Sequence, residues 1–101
     1  MSNPMPQVIL NEADSRFELH VGEHMAYEVF ERFPGGMAYL HTIVPKELGG
    51  QGVGSRLVKY VLDYAAASGL KVRPDCSFVK AYIDKHPEYQ AHSLAHGATL
   101  G

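Results

Sequence analysis

The sequence is poor in several features that would assign a protein to a particular class. It contains one cysteine, which excludes a disulfide within the chain. Its formal net charge of -2 at pH 7 provides no broad basic surface, so we expect no nucleic acid partner. The sequence has neither an apolar run of about 18 residues nor a signal-peptide pattern. We therefore expect a soluble, intracellular protein that is cytoplasmic and has no membrane partner.

The 101 residues do carry enough apolar material for one core, since 46% of them are hydrophobic. A chain of this length is too short for two cores, so we predict a single domain over residues 1–101 with its core at about 7–89. After Tyr89 the apolar residues have no firm periodicity. We therefore predict a flexible tail at 90–101.

The first half of the chain has the alternation of apolar and polar residues that is typical of β-strands. Phe17, Leu19 and Val21 alternate with polar residues, which predicts a half-buried strand. Turn residues at 33–36 favour a short reversal between two apolar segments. The predicted antiparallel meander has strands at 7–11, 16–21, 25–32 and 37–44. The last strand is nearly all apolar, so we expect it to be central and covered on both faces.

The second half contains helical and strand patterns in turn. Val53, Leu57 and Val61 recur every four residues, which is typical of an amphipathic helix. The predicted elements are a helix at 51–68, a strand at 70–73 and a helix from about 74 to 85. We expect the strands that flank the first helix to pair in parallel through a right-handed crossover. The predicted fold class is α+β, with an antiparallel meander, a β-loop-α-β crossover and a C-terminal helix.

Four glycines lie between the last meander strand and the first helix. A glycine run that opens a helix exposes backbone N–H groups at the positive end of the helix dipole, where anionic oxygens bind. A P-loop would need Lys and then Ser or Thr after its last glycine, but Ser55 and Arg56 stand there. A Rossmann fingerprint is also incomplete, since the chain has room for one crossover. By themselves the glycines favour a tight turn without a ligand.

The residues around this loop carry a more specific signal. The segment 42–58 resembles the acetyl-CoA-binding motif of the GNAT superfamily of N-acetyltransferases, with residues 52–54 as its G-x-G core. Gly49 departs from this motif, because the superfamily commonly has Arg or Gln there. The segments 74–79 and 82–89 resemble the second half of a minimal, single-domain branch of the same superfamily.

The resemblance covers about residues 8–89 and implies the minimal acyl-CoA N-acyltransferase fold, with acetyl-CoA as the acyl donor. In this superfamily two parallel strands splay apart around the pantetheine arm. The matching cleft walls are residues 40–44 and 71–76. The contacts expected for acetyl-CoA or CoA are Ile43, Val44, Leu48, Gly49, Gly50, Gln51, Gly52, Val53, Gly54, Ser55 and Lys85.

The resemblance also implies direct transfer of the acetyl group from the thioester to an amine. It makes His41 and Cys76, on opposite walls, the candidate catalytic residues. His41 would deprotonate the amine, since imidazole titrates near neutral pH. Cys76, at a helix N-terminus, would protonate the departing CoA thiolate or accept the acetyl group itself. The alternatives are a hydrogen-bonded structural histidine and a small buried cysteine.

The function that we predict is acetyl-CoA-dependent N-acetyl transfer to an unidentified amine, either a small molecule or a protein amine. The alternative is a noncatalytic module that binds CoA or another protein, because so short a chain lacks the segments that would enclose a substrate. The remaining histidines lack the spacing of metal ligands, so no metal is predicted. We expect a monomer or a weak homodimer paired through an N-terminal edge strand.

Overall fold

The computed structural model describes residues 7–100, which form a five-stranded mixed sheet and two α-helices. The elements are β1 (Val8–Asn11), β2 (Arg16–Val21), β3 (His24–Phe33), β4 (Gly36–Ile43), α1 (Val53–Ala67), β5 (Lys71–Pro74) and α2 (Ser77–Lys85). Strands β1 to β4 form an antiparallel meander, and β5 joins β4 in parallel after α1. The predicted α+β fold class and the parallel pairing of the last two strands are confirmed.

The core lies between the sheet and the apolar stripe of α1. Every member of the stripe is buried: Val53, Leu57, Val58, Val61, Leu62 and Ala65. Phe17 and Leu19 on β2 belong to the same buried cluster. Tyr39 of β4 is fully buried as well, and its hydroxyl donates to the carbonyl oxygen of Val61 at 2.5 Å. This bond satisfies a buried polar group and ties α1 to β4.

Strand β4 is covered over only half of its length. Residues 36–39 are buried and pair with β5, and the last pair is Tyr39 with Pro74. Beyond Tyr39, the side chains of His41 and Ile43 are exposed. The prediction that the whole strand is covered on both faces is therefore wrong for its second half, where the side chains on one face are exposed.

Both helices begin later than the sequence pattern indicates. Helix α1 begins at Val53 because Gly52 has a φ of 72°, a left-handed conformation that cannot belong to the helix. Helix α2 begins at Ser77 because Pro74 still belongs to β5 and Cys76 has an extended backbone. Within residues 7–100, no helix is long and apolar enough to cross a membrane.

The structure differs from the flexible tail predicted at 90–101. Two short 3-10 helices span Pro87–His92 and Leu94–His96. Between them, Ser93 is fully buried and forms a parallel bridge with Val72 on β5. The spacing of apolar residues could not predict this contact, because the partner strand β5 lies earlier in the sequence, before α2. Residues 1–6 and 101 of the predicted domain lie outside the described residues.

Candidate active site

A cleft opens where β4 and β5 separate. The last pair between the two strands is Tyr39 with Pro74, and the N–H of Cys76 then donates to the carbonyl oxygen of Tyr39 at 2.9 Å. Beyond this point the chain segments diverge around a cavity of about 370 Å³. Its walls are residues 40–43 on β4 and residues 75–78 at the start of α2. Strand β5 itself does not form the second wall that the resemblance implied, because it is paired with β4.

The glycine loop forms a second cavity of about 230 Å³ next to this cleft. Gly50 and Gly52 have φ values of 74° and 72°, and a Cβ on either would meet no atom within 4 Å, so this backbone is accessible. Gly52 caps α1 without a side chain, and the first N–H groups of a helix lack intrahelical acceptors. The loop therefore fits an anionic group such as a phosphate. The cavity is lined by Val44, Leu48, Gly49, Gly50, Gly52, Val53, Gly54, Ser55 and Phe78.

Gly54 allows α1 and α2 to approach each other closely. A Cβ at this position would lie 3.0 Å from Cζ of Phe78 and 3.3 Å from Cγ2 of Val44. Phe78 is 43% exposed and lines both cavities. The sequence pattern did not mark Phe78, since a single exposed aromatic residue is ordinary on a protein surface. It is the residue at which the cleft and the glycine loop meet.

A third cavity, of about 310 Å³, continues along α2 from Ser55 and Phe78. Tyr82 and His86 stack there with 3.8 Å between their ring centroids. Lys85 lines the same cavity. The three cavities adjoin one another, since Phe78 lines all three and Ser55 lines two of them, and we refer to them together as the groove. This groove runs from the cleft, over the glycine loop, to the C-terminal end of α2.

The structure brings most of the residues predicted to contact acetyl-CoA to this groove. Ile43 lines the cleft, Lys85 lines the far end, and eight others line the glycine-loop cavity. Gln51 is the exception, since its side chain turns back and Nε2 donates to the carbonyl oxygen of Glu47 at 3.2 Å. Among residues 7–100, no cluster of three His, Cys, Asp or Glu side chains is placed to hold a metal ion.

His41 and Cys76 line the cleft from opposite walls. His41 is exposed on β4, whereas Cys76 is 8% exposed and is the N-cap residue of α2. Sγ of Cys76 lies 3.1 Å from Oγ1 of Thr42, and either atom can donate this hydrogen bond. The two predicted residues therefore share one cavity, but the hydrogen-bond partner of Cys76 is Thr42.

A buried carboxyl group extends this contact. The hydroxyl of Thr42 donates to Oε1 of Glu28 on β3, and Glu28 is fully buried. Its other oxygen, Oε2, has no hydrogen-bond partner among the described residues. Burial raises the pKa of Glu28 to about 8, and hydrogen bonds from Thr42 and from the backbone of His41 offset only part of that rise.

Sequence reasoning missed both Glu28 and Thr42. The available signal for Glu28 was its place on β3. Every second residue there, Ala26, Glu28 and Phe30, faces the core, so Glu28 is an acidic residue in an otherwise apolar inward-facing row. No local pattern marked Thr42, because its partners are 14 and 34 residues away in the sequence.

Comparisons with known proteins agree with this fold. Residues 16–92 match the family model described as GCN5-related N-acetyl-transferase. The structure is similar to the NMR solution structure of a GCN5-like protein from Staphylococcus aureus, described as a candidate N-acetyltransferase, with a TM-score of 0.68 and 32% sequence identity. The similarity covers 89% of this chain and 89% of that one. The chain therefore belongs to the GCN5-related N-acetyltransferase family.

Proposed function

We propose that this protein transfers an acetyl group from acetyl-CoA to an amine within the groove. The observation that supports this most directly is that the glycine-loop cavity adjoins, at Phe78, the cleft lined by His41 and Cys76. A donor with a pyrophosphate at one end and a thioester at the other needs an extended site of this kind. The acceptor is a small-molecule amine or a protein amine.

Backbone N–H groups provide most of the binding to the donor's phosphates in this proposal. Helix α1 directs its positive end and its first-turn N–H groups at the glycine loop. At the far end, Lys85 adds a positive charge beside the stacked rings of Tyr82 and His86, which offer a planar surface to an adenine ring. Gly49 contributes no side chain, so the phosphates depend on the backbone alone at that point.

The chemistry requires a neutral amine and a proton for the departing thiolate. His41 takes a proton from the amine while the amine nitrogen bonds to the thioester carbon. His41 later releases that proton to solvent. The carbon–sulfur bond breaks, and the CoA sulfur takes a proton from the Cys76 thiol. In the alternative route, Cys76 first accepts the acetyl group and then passes it to the amine.

A transfer assay with matched variants tests the proposal. CoA release from acetyl-CoA is measured by chromatography in the presence of spermidine, a lysine-containing peptide or a peptide with a free N-terminus. Gly52→Asp introduces a negative charge at the glycine loop, and Gly69→Asp introduces the same charge beyond the other end of α1 at a similar φ of 71°. We expect Gly52→Asp to raise KM for acetyl-CoA at least about tenfold, or about 1.4 kcal/mol, and Gly69→Asp to leave it unchanged.

His41→Ala and Cys76→Ala separate catalysis from binding in the same assay. We expect each to lower kcat by about 100-fold, the usual contribution of a general acid or base, with an unchanged calorimetric Kd for CoA. If the wild-type protein binds acetyl-CoA but releases no CoA with any amine of the panel, the noncatalytic binding module becomes the better account. Absence of acetyl-CoA binding would contradict the site itself.

A further inference from the structure

We propose that Glu28 exchanges a proton with the Cys76 thiol through Thr42, and so sets whether Cys76 is a thiol or a thiolate. The inference rests on the proposed function, since Cys76 needs both forms only if the cleft carries acetyl transfer. It extends that function by assigning two positioning residues, Glu28 and Thr42, that act on the reaction through Cys76.

The three side chains form one hydrogen-bonded row from the core to the cleft. Glu28 and Thr42 are direct partners across β3 and β4, so the strand register holds them together. The Thr42 hydroxyl donates to Oε1 of Glu28, and its oxygen lies 3.1 Å from Sγ of Cys76. A hydroxyl has one donor and two acceptor positions, so Thr42 can accept from the thiol while it donates to the carboxylate. With Glu28 protonated, the same row can run in the opposite direction.

The burial of Glu28 makes it a proton acceptor rather than a permanent anion. Its side chain is 0% exposed and Oε2 has no partner among the described residues. A buried carboxylate with an unpaired oxygen is unfavourable, and uptake of a proton relieves that cost. Burial raises the pKa of Glu28 to about 8, so this carboxyl group can both take up and release a proton near neutral pH.

The elements that pack around Glu28 present mainly apolar side chains to it. Phe17 is its partner on β2, and Leu48 is the buried residue of the 3-10 helix Lys46–Leu48. The buried faces of α1 and α2 consist of apolar residues. Tyr39 of β4 is the titratable neighbour on the core side, and burial together with the charge of Glu28 raises the pKa of this phenol. Tyr39 therefore stays neutral while Glu28 titrates.

Two other titratable side chains lie on the cleft side. Asp75 precedes Cys76, and its carboxylate accepts hydrogen bonds from Nε of Arg73 at 3.1 and 3.0 Å. The charge of Asp75 is therefore paired. His41 is exposed on the opposite wall. A His41→Ala background removes this second titratable group from an experiment on Cys76.

The proposed step moves two protons along the row and changes no other bond. The S–H bond of Cys76 breaks as an O–H bond forms on Thr42, whose own proton passes to Oε1 of Glu28. The products are a Cys76 thiolate and a neutral Glu28. In the reverse direction Glu28 starts protonated: once the Cys76 thiol has given its proton to the departing CoA sulfur, Oε1 of Glu28 gives a proton to Thr42, and Thr42 gives its own to the Cys76 thiolate. Glu28 is then ionised and regains a proton from solvent along the same row, by way of Cys76 and Thr42.

The single cysteine makes a direct test possible, because iodoacetamide can alkylate only Cys76 among the cysteines of this chain. The alkylation rate is measured from pH 5 to 10 by intact mass, without acetyl-CoA, for the wild type, Glu28→Gln, Thr42→Val and Thr42→Ser. We expect two steps in the wild-type profile, because coupled groups lose their protons in two macroscopic steps, and one step in Glu28→Gln. At pH 7, Thr42→Val should react about tenfold more slowly than the wild type, and Thr42→Ser should restore the rate.

Coincident profiles for the wild type and Glu28→Gln would overturn the proposal, as would equal rates for Thr42→Val and Thr42→Ser. If circular dichroism shows that Glu28→Gln does not fold, the comparison of the two Thr42 variants decides. Loss of the second step in the His41→Ala background would assign that step to His41 and also overturn the proposal. Since alkylation requires no acetyl-CoA, a failed transfer assay does not affect this result, and a failed alkylation test leaves the acetyl-CoA site unaffected.

Discussion

Glu28 links the folding stability of this protein to pH. Its pKa is about 8 in the folded protein, raised by burial from an ordinary value of 4.5. Between these two values the folded state holds a proton that the unfolded state has released. Proton binding by the buried Glu28 therefore contributes to the free energy of unfolding. This contribution is fully present below pH 4.5 and is lost as the pH rises through 8.

Glu28→Gln should remove this pH dependence, because the amide cannot ionise. We expect urea denaturation to show that the free energy of unfolding of the variant rises relative to that of the wild type as the pH is raised from 5 to 9. The relative gain should be on the order of 3 kcal/mol. Glu31→Gln on the same strand is the control, since Glu31 is exposed. A constant difference between Glu28→Gln and the wild type at all pH values would contradict the raised pKa of the buried carboxyl.

At the scale of elements, the segment after α2 protects the free edge of β5. Ser93 bridges Val72 on that edge, and Oγ of Ser93 lies 2.6 Å from Nδ1 of His96. Nε2 of His96 lies 2.6 Å from Oδ1 of Asp84 on α2. One histidine therefore connects this segment to α2, next to an edge strand that would otherwise expose unpaired backbone groups.

His96→Ala should loosen the segment without unfolding the domain. Losing two hydrogen bonds should lower the free energy of unfolding by about 1 to 2 kcal/mol. Hydrogen exchange should become faster at the amides of Ser93, His96 and Ala98, which are hydrogen-bonded within this segment. The control is His92→Ala, whose side chain makes no hydrogen bond in the described part of the chain. Unchanged protection in His96→Ala would mean that burial of Ser93 alone holds the segment.

For the whole molecule, the sequence predicted the strands of the sheet, the two α-helices and the parallel pairing of β4 with β5, but not the packing of the C-terminal segment. The alternation of β2 is a local property, and the predicted strand at 16–21 has the observed bounds. The start of α1 could not be predicted so closely, because it depends on the left-handed backbone of Gly52. The bridge between Val72 and Ser93 joins segments on either side of α2, and no sequence period encodes such a contact.

The residues of the candidate site also differ in whether the sequence could predict them. The glycine loop could be predicted, because its glycines and the surrounding residues resemble a known motif. Phe78 could not, because an exposed aromatic residue lines a cavity only through its neighbours on other elements. The alternation of β3 marks Glu28 as an inward-facing residue, but its hydrogen bond with Thr42 depends on another strand. The sequence also gave no indication that Gln51 turns away from the groove.

In the proposed function, one groove holds acetyl-CoA from its phosphates to its acetyl group. Parallel NMR titrations of the ¹⁵N-labelled protein with acetyl-CoA and with CoA test this most directly. Both ligands should shift the amide signals of residues 49–55 alike, because their phosphates are identical, and acetyl-CoA should add distinct shifts at residues 40–43 and 75–78. Shifts that are identical for the two ligands throughout the cleft, or that lie outside the groove, would show that acetyl-CoA does not bind in this way.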